Sequence, residues 1–111
     1  MNTRWIILDA IQRRQRLALT YKGEQRLVEP YLLYATETGE EILHGWQISG
    51  HSSRGRAPHW INLTLAAISS AKADRPYEAP RLDYNPQSPS FHKVIAFTPK
   101  GARASATGGA G

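Results

Sequence analysis

Cysteine is absent from this 111-residue chain, which excludes disulfides, thiolate metal sites and a cysteine nucleophile together. A long hydrophobic run is missing as well. In "MNTRWIILDAIQRRQR" only Trp5 to Leu8 are consecutively apolar before Asp9, far short of a signal-peptide core or a membrane-spanning helix. The expectation is a soluble, cytoplasmic protein with no membrane partner. Enzyme signatures are lacking too: no Gly-rich loop runs into Lys-Ser/Thr, and neither G-x-S-x-G nor H-E-x-x-H occurs. Phosphate cradles, nucleophile elbows and helical zinc pairs therefore have no support. The four histidines, His44, His51, His59 and His92, match no ligand spacing and are expected to stand apart, with no metal and no cofactor. Glu40 and Glu41 are neighbours on a strand, so they point to opposite faces and cannot share one substrate. No catalytic residue is expected.

Acidic residues are in short supply. Fourteen Lys and Arg, ten of them Arg, face nine Asp and Glu, giving a net charge of +5 and a pI near 9.9. That excess raises the local concentration of polyanions and permits contact with nucleic acid, anionic ligands or acidic protein surfaces, without selecting among them. An apolar fraction of 41% with 21% charged residues lies well away from the composition of disordered chains, and the length suits one domain with one core.

Residues 3 to 16 read as a helix. Asn2 or Thr3 can cap it, Ile7, Leu8 and Ile11 form an apolar stripe, and Arg13, Arg14 and Arg16 crowd the end where positive charge suits the helix dipole. The period then changes to two. "LALTY" and "RLVEPYLLYA" flank the Gly-containing turn "KGEQ" as a hairpin, and Pro30, which cannot donate to a ladder, requires an edge, bulge or bend in the second strand. "TETGE" turns into "GEEILHGWQISG", where Ile42, His44, Trp46 and Ile48 alternate with Glu41, Leu43, Gly45 and Gln47. "HWINL" and "ISSAKA" are further short strands around "TLAA". "DRPYEAPRLDYNPQSPS" holds four of the seven prolines and reads as an extended connection before a last strand, "FHKVIAF". The predicted class is mainly β: a small Sm-like or SH3-like β-barrel preceded by one N-terminal α-helix, with an extended C-terminal segment carrying one further strand. The predicted domain spans 1–98 (helix 3–16, barrel about 17–73, extension 74–98), with a flexible tail at 99–111. No internal repeat is present.

The residues with binding potential are basic and aromatic. Arg54 and Arg56 lie in the loop "SGHSSRGRAP", Trp46 and Trp60 flank that loop on neighbouring strands, and Tyr21, Tyr31 and Tyr34 lie on the preceding hairpin. A small barrel that exposes aromatics beside Arg can stack bases and hold phosphates. The same aromatics on alternating strands can instead fill a core, and the same arginines can simply solubilise a loop.

The order of these elements and several residues resemble the WYL domain, a small β-barrel of bacterial transcription regulators and phage-defence proteins. The likeness runs from about Ala10 to Phe97. "AIQRRQRLALTYKGEQRLVEPYLLY" looks like the family's opening, with Arg26, Val28 and Pro30 in its Arg-x-Val-x-Pro strand. "GEEILHGW" stands at the Trp-Tyr-Leu stretch, retaining Leu43 with Glu41 and Ile42 in the first two places. "WINLTLAAI" is similar to Trp-Arg-x-Phe-x-Leu-Asp-Arg-Ile and keeps Trp60, Leu65 and Ile68, while Ile61, Ala66 and Ala67 replace the Arg, Asp and Arg of that pattern. "YNPQSPSFHKVIAF" looks like the ending of short, free-standing members.

The resemblance implies a non-enzymatic regulatory module that senses a ligand or binds nucleic acid. Because Ile and Ala cannot give the bidentate phosphate contact that Arg gives, the expected binding residues here are Arg26, Trp46, Arg54, Arg56 and Trp60. With no helix-turn-helix in the sequence, single-stranded nucleic acid or an anionic nucleotide is expected rather than a duplex. The competing expectation is a protein-interaction or homodimerisation module that keeps the barrel and has lost the pocket.

Overall fold

The computed structural model describes residues 2–50, 58–77 and 80–99. One helix, α1 (Thr3–Arg13), precedes strands β1 (Gln15–Tyr21), β2 (Glu24–Ala35), β3 (Glu41–Gly50) and β4 (His59–Thr64). A single 3₁₀ turn (Leu65–Ala67) leads to β5 (Ile68–Pro76), and β6 (Lys93–Phe97) closes the order. Asn2 caps α1, its side chain accepting from the Trp5 N–H at 2.8 Å. Ile7, Ala10 and Ile11, spaced three and four apart, turn the helix's apolar stripe into the core.

Four helix and strand boundaries depart from the sequence expectation. The helix ends at Arg13, not 16, because Arg14 takes a left-handed backbone conformation (φ 53°) and returns its N–H to Ala10 O. β1 consequently starts at Gln15, and Arg16 is not a helix-end charge but pairs with Asp74 across the β1–β5 ladder at 2.8 Å. At the other end β5 continues to Pro76, past the expected limit of 73, while β6 starts at Lys93 rather than Phe91. Beyond Pro99, the expected tail lies outside the described residues.

All six strands form one antiparallel sheet in the order β4-β3-β2-β1-β5, with β6 added to β2. Lys22 and Gly23, with φ of 49° and 82°, make the β1–β2 turn with the pair of positive angles that matches strand twist. β2 is long enough to serve two partners along one edge. Its first part pairs β1, up to Leu17↔Val28, and its last part pairs β6, from Leu32↔Phe97. Pro30 stands between these ladders, at a register shift against β3, so its missing N–H breaks no ladder it would otherwise serve.

The pleat separates two apolar clusters. One face holds the main core, where Leu17, Leu19, Val28, Leu33, Leu43, Ile61 and Leu63 meet Ile7, Ala10 and Ile11 of α1. The other gathers Tyr31 and Leu32 with Tyr77 and Tyr84 from the segment after β5, flanked by Tyr34, Trp46, Trp60 and Phe91. That segment runs over the surface, as expected, with only Tyr77 and Tyr84 of its described residues buried. These two fasten it down: the Tyr77 hydroxyl donates to Pro30 O at 2.8 Å, and the Tyr84 hydroxyl donates to Thr98 O at 2.7 Å. Thr98 in turn donates its hydroxyl to Ile11 O and its N–H to Tyr31 O, tying helix, sheet and segment together.

Candidate functional site

Period-two alternation in β3 puts Leu43, Gly45 and Gln47 toward the main core and His44 and Trp46 on the opposite face. The β3–β4 register then sets Trp46 against Trp60 and His44 against Asn62. Trp60 is the hub. It meets Trp46 edge-on at 5.2 Å between ring centroids, Tyr31 edge-on at 5.2 Å, and His44 in a parallel stack at 4.8 Å with 6° between planes. Phe91 reaches back from the C-terminal segment to His44 at 4.8 Å and to Tyr34 at 5.2 Å.

Polar groups from the same segment complete the surface. Trp60 Nε1–H donates to Asp83 Oδ2 at 2.8 Å. The Arg81 guanidinium lies 4.2 Å from the centre of the Trp46 ring, within cation–π range, and its Nε is 3.3 Å from Glu29 Oε1. Glu29 is itself held by the Tyr31 hydroxyl, which donates at 3.0 Å and accepts the Arg81 N–H at 2.9 Å. Burial, reinforced by the Glu29 charge, pushes the Tyr31 phenol far above its ordinary range, and burial does the same to Tyr77 and Tyr84. All three therefore act as neutral hydroxyls.

Two open clefts result. One, of about 370 Å³, is lined by Tyr34, His44, Trp60, Asn62, Asp83 and Phe91, with Asn85, Ser88 and Ser90 on its rim. The second, of about 540 Å³, is lined by Glu29, Trp46, Tyr77, Arg81 and Asp83. Asp83 belongs to both, so they adjoin. Trp46 Nε1 is buried and has no hydrogen-bond partner among the described residues, at a desolvation cost to the fold.

His44 Nδ1 lies 3.0 Å from Asn62 Oδ1. Desolvation outweighs that bond and holds the imidazole pKa below its ordinary 6.5. The ring is neutral at neutral pH, and the unfolded chain takes up its proton first on acidification. His44 thus contributes stability that is fully present above the unfolded pKa and is lost as pH falls through the lowered folded value. The thermal midpoint of the wild type is expected to drop more than that of His44→Gln between about pH 7.5 and about pH 5. Parallel pH profiles contradict it.

Of the five residues expected to bind, Trp46 and Trp60 come together, both half-buried on this face. Arg26 does not join them. Its side chain is only 8% exposed, Nη1 donates to the core-facing Gln47 Oε1 at 3.3 Å, and the guanidinium lies 4.9 Å from the centre of the Tyr21 ring. Arg26 instead lines a different cleft, with Gln25, Ser49, Ser70 and Lys72. Arg54 and Arg56, like His51, lie outside the described residues. Among the described residues, no group of three or more His, Asp or Glu side chains is placed to hold a metal ion. Glu41 accepts a two-point contact from Arg4 at 2.8 and 3.1 Å. Ile61 is buried in the main core, where an unpaired charge would be costly.

Reasoning from the sequence missed Arg81, Asp83, Asn85 and the part played by His44. His44 had a signal, since it shares a strand face with Trp46 two residues away. The other three had none, because no period governs a Pro-rich segment. Compared with protein-family models, with curated proteins and with solved structures, the chain matches none of them.

Proposed function

We propose that this chain is a non-enzymatic regulatory module of the WYL type that binds an anionic nucleotide or single-stranded nucleic acid, built as a small Sm-like or SH3-like β-barrel. The strand order supports the barrel: β4 and β5 are the two ends of the β4-to-β5 path, and only a 3₁₀ turn of three residues separates them in the chain. A curled sheet brings such ends toward each other.

The observation that carries the function is the surface formed by His44, Trp46, Trp60 and Phe91 together with Arg81. Every nucleobase has a π-face that aromatic side chains can stack, and Arg supplies the phosphate contact. The base occupies the cleft beside His44 and Trp60, and the phosphate turns toward Arg81 in the adjoining cleft. The net charge of +5 adds attraction for any polyanion.

Fluorescence anisotropy with a labelled single-stranded oligonucleotide tests this. Binding is expected at about 50 mM salt, with affinity at least about tenfold lower at about 200 mM because bound counterions are released. Trp60→Ala is expected to lower the low-salt affinity by about tenfold, the scale of one stacked base. Absence of binding at low salt overturns the proposal.

A further inference from the structure

The cleft beside His44 and Trp60 is selective in its hydrogen-bonding groups. Asp83 accepts from Trp60 Nε1–H through Oδ2 and has no other hydrogen-bond partner among the described residues. A carboxylate has about four lone-pair sites, so Oδ1 and the second lone pair of Oδ2 remain as acceptors. Asn62 Oδ1 accepts from His44 Nδ1–H, and Asn85 Oδ1 accepts from the Gln87 N–H at 3.1 Å. Both amide nitrogens are thereby left as donors. Among the described residues no Lys or Arg lines this cleft, and the Tyr34 phenol is pushed up by burial and stays neutral.

The cleft thus presents a carboxylate acceptor on Asp83, amide donors on Asn62 and Asn85, and aromatic rings as walls. A planar ring that fits this pattern carries two adjacent N–H donors for the carboxylate and separate acceptors for the amides. Among the nucleobases, guanine alone has this arrangement: N1–H and N2–H₂ side by side on one edge, O6 and N7 on the other. Adenine and cytosine each offer one exocyclic amine beside a ring acceptor, which would face the carboxylate with a lone pair. Uracil and thymine offer one N–H between two carbonyl oxygens.

We propose that this cleft recognises a guanine base, with Asp83 accepting from the N1–H and N2–H₂ edge, Asn62 and Asn85 donating to O6 and N7, and the base packed against the aromatic rings. This inference rests on the nucleotide-binding reading above and adds base selectivity to it. The guanine can come from a free nucleotide or from a single strand. The two sources differ only in how many phosphates reach the rest of the surface.

Competition anisotropy against a labelled oligo-dG strand tests the inference with GMP, IMP and AMP, and in parallel with unlabelled oligo-dG, oligo-dI and oligo-dA. Inosine keeps N1–H and O6 and lacks only the N2 amine. Guanine is expected to compete at least about tenfold better than inosine or adenine in both series, the discrimination scale of one bidentate contact. Asp83→Asn, which keeps an oxygen for the Trp60 N–H, is expected to bring competition by guanine down to the level of inosine and adenine in both series. Equal competition by all three bases, with binding intact, overturns guanine recognition and leaves the nucleotide-binding reading standing. Failure of every strand and nucleotide to bind overturns both. The inosine comparison needs no variant, so it holds even if Asp83→Asn perturbs the fold. Competition by the mononucleotides as strong as by the strands assigns the site to a free nucleotide. Competition by the strands alone assigns it to single-stranded nucleic acid.

Discussion

Tyr84→Ala is expected to remove about 3–5 kcal/mol of folding stability, the range for truncating a fully buried aromatic. Tyr84 is completely buried although it comes from a segment without regular structure. Its ring meets Tyr31 edge-on at 4.6 Å and packs against Trp60 at 6.3 Å. Its hydroxyl donates to the carbonyl oxygens of Thr98 and Tyr31, which joins the segment to the end of β6 and the middle of β2. Truncation leaves a cavity beneath the aromatic cluster and takes the hydroxyl donor from Thr98 O, while Tyr31 O keeps the Thr98 N–H. Tyr84→Phe, which keeps the ring, is expected to cost only about 1–3 kcal/mol. Urea unfolding of the three proteins measures both values. A cost below about 1 kcal/mol for Tyr84→Ala would mean that the segment does not form part of the folded domain.

Gly45→Ala carries the second large effect. A Cβ at this position would stand 2.6 Å from Glu29 O and 2.8 Å from Val28 Cγ1. The first contact is with backbone and cannot be relieved by a side-chain rotation. β2 and β3 would have to move apart at the register shift opposite Pro30. The expected cost is about 1–3 kcal/mol, typical of overpacking. Because Glu29 is also the carboxylate that holds Tyr31 and Arg81, the same variant is expected to weaken oligonucleotide binding. An unfolding midpoint equal to the wild type's contradicts the close approach.

These two positions also mark how far the sequence could be read. Alternation identified the strands and their faces, so the pairing of Trp46 with Trp60 was within reach once two adjacent antiparallel strands were recognised. Pro30 announced an irregularity, and Gly45 takes up its other side. Arg14 gave no warning of the helix end, because no Gly stands where the backbone turns left-handed. The polar half of the site was hidden for a different reason. Arg81, Asp83 and Asn85 owe their positions to Tyr77, Tyr84 and Phe91 docking on the sheet, a long-range packing event that leaves no period in the chain. Arg26 misled because its charge was visible in the sequence and its engagement with Gln47 and Tyr21 was not.

The proposed ligand site is the aromatic face of β3 and β4 beneath the C-terminal segment. Backbone amide NMR of the labelled protein, titrated with oligo-dG at low salt, tests it residue by residue. The largest shifts are expected at His44, Trp46, Trp60, Asn62, Arg81, Asp83 and Asn85, with Trp60 Nε1–H among them and with α1 and β5 unmoved. Shifts confined to α1, β5 or the Arg26 cleft, or no shifts at all, would contradict the account.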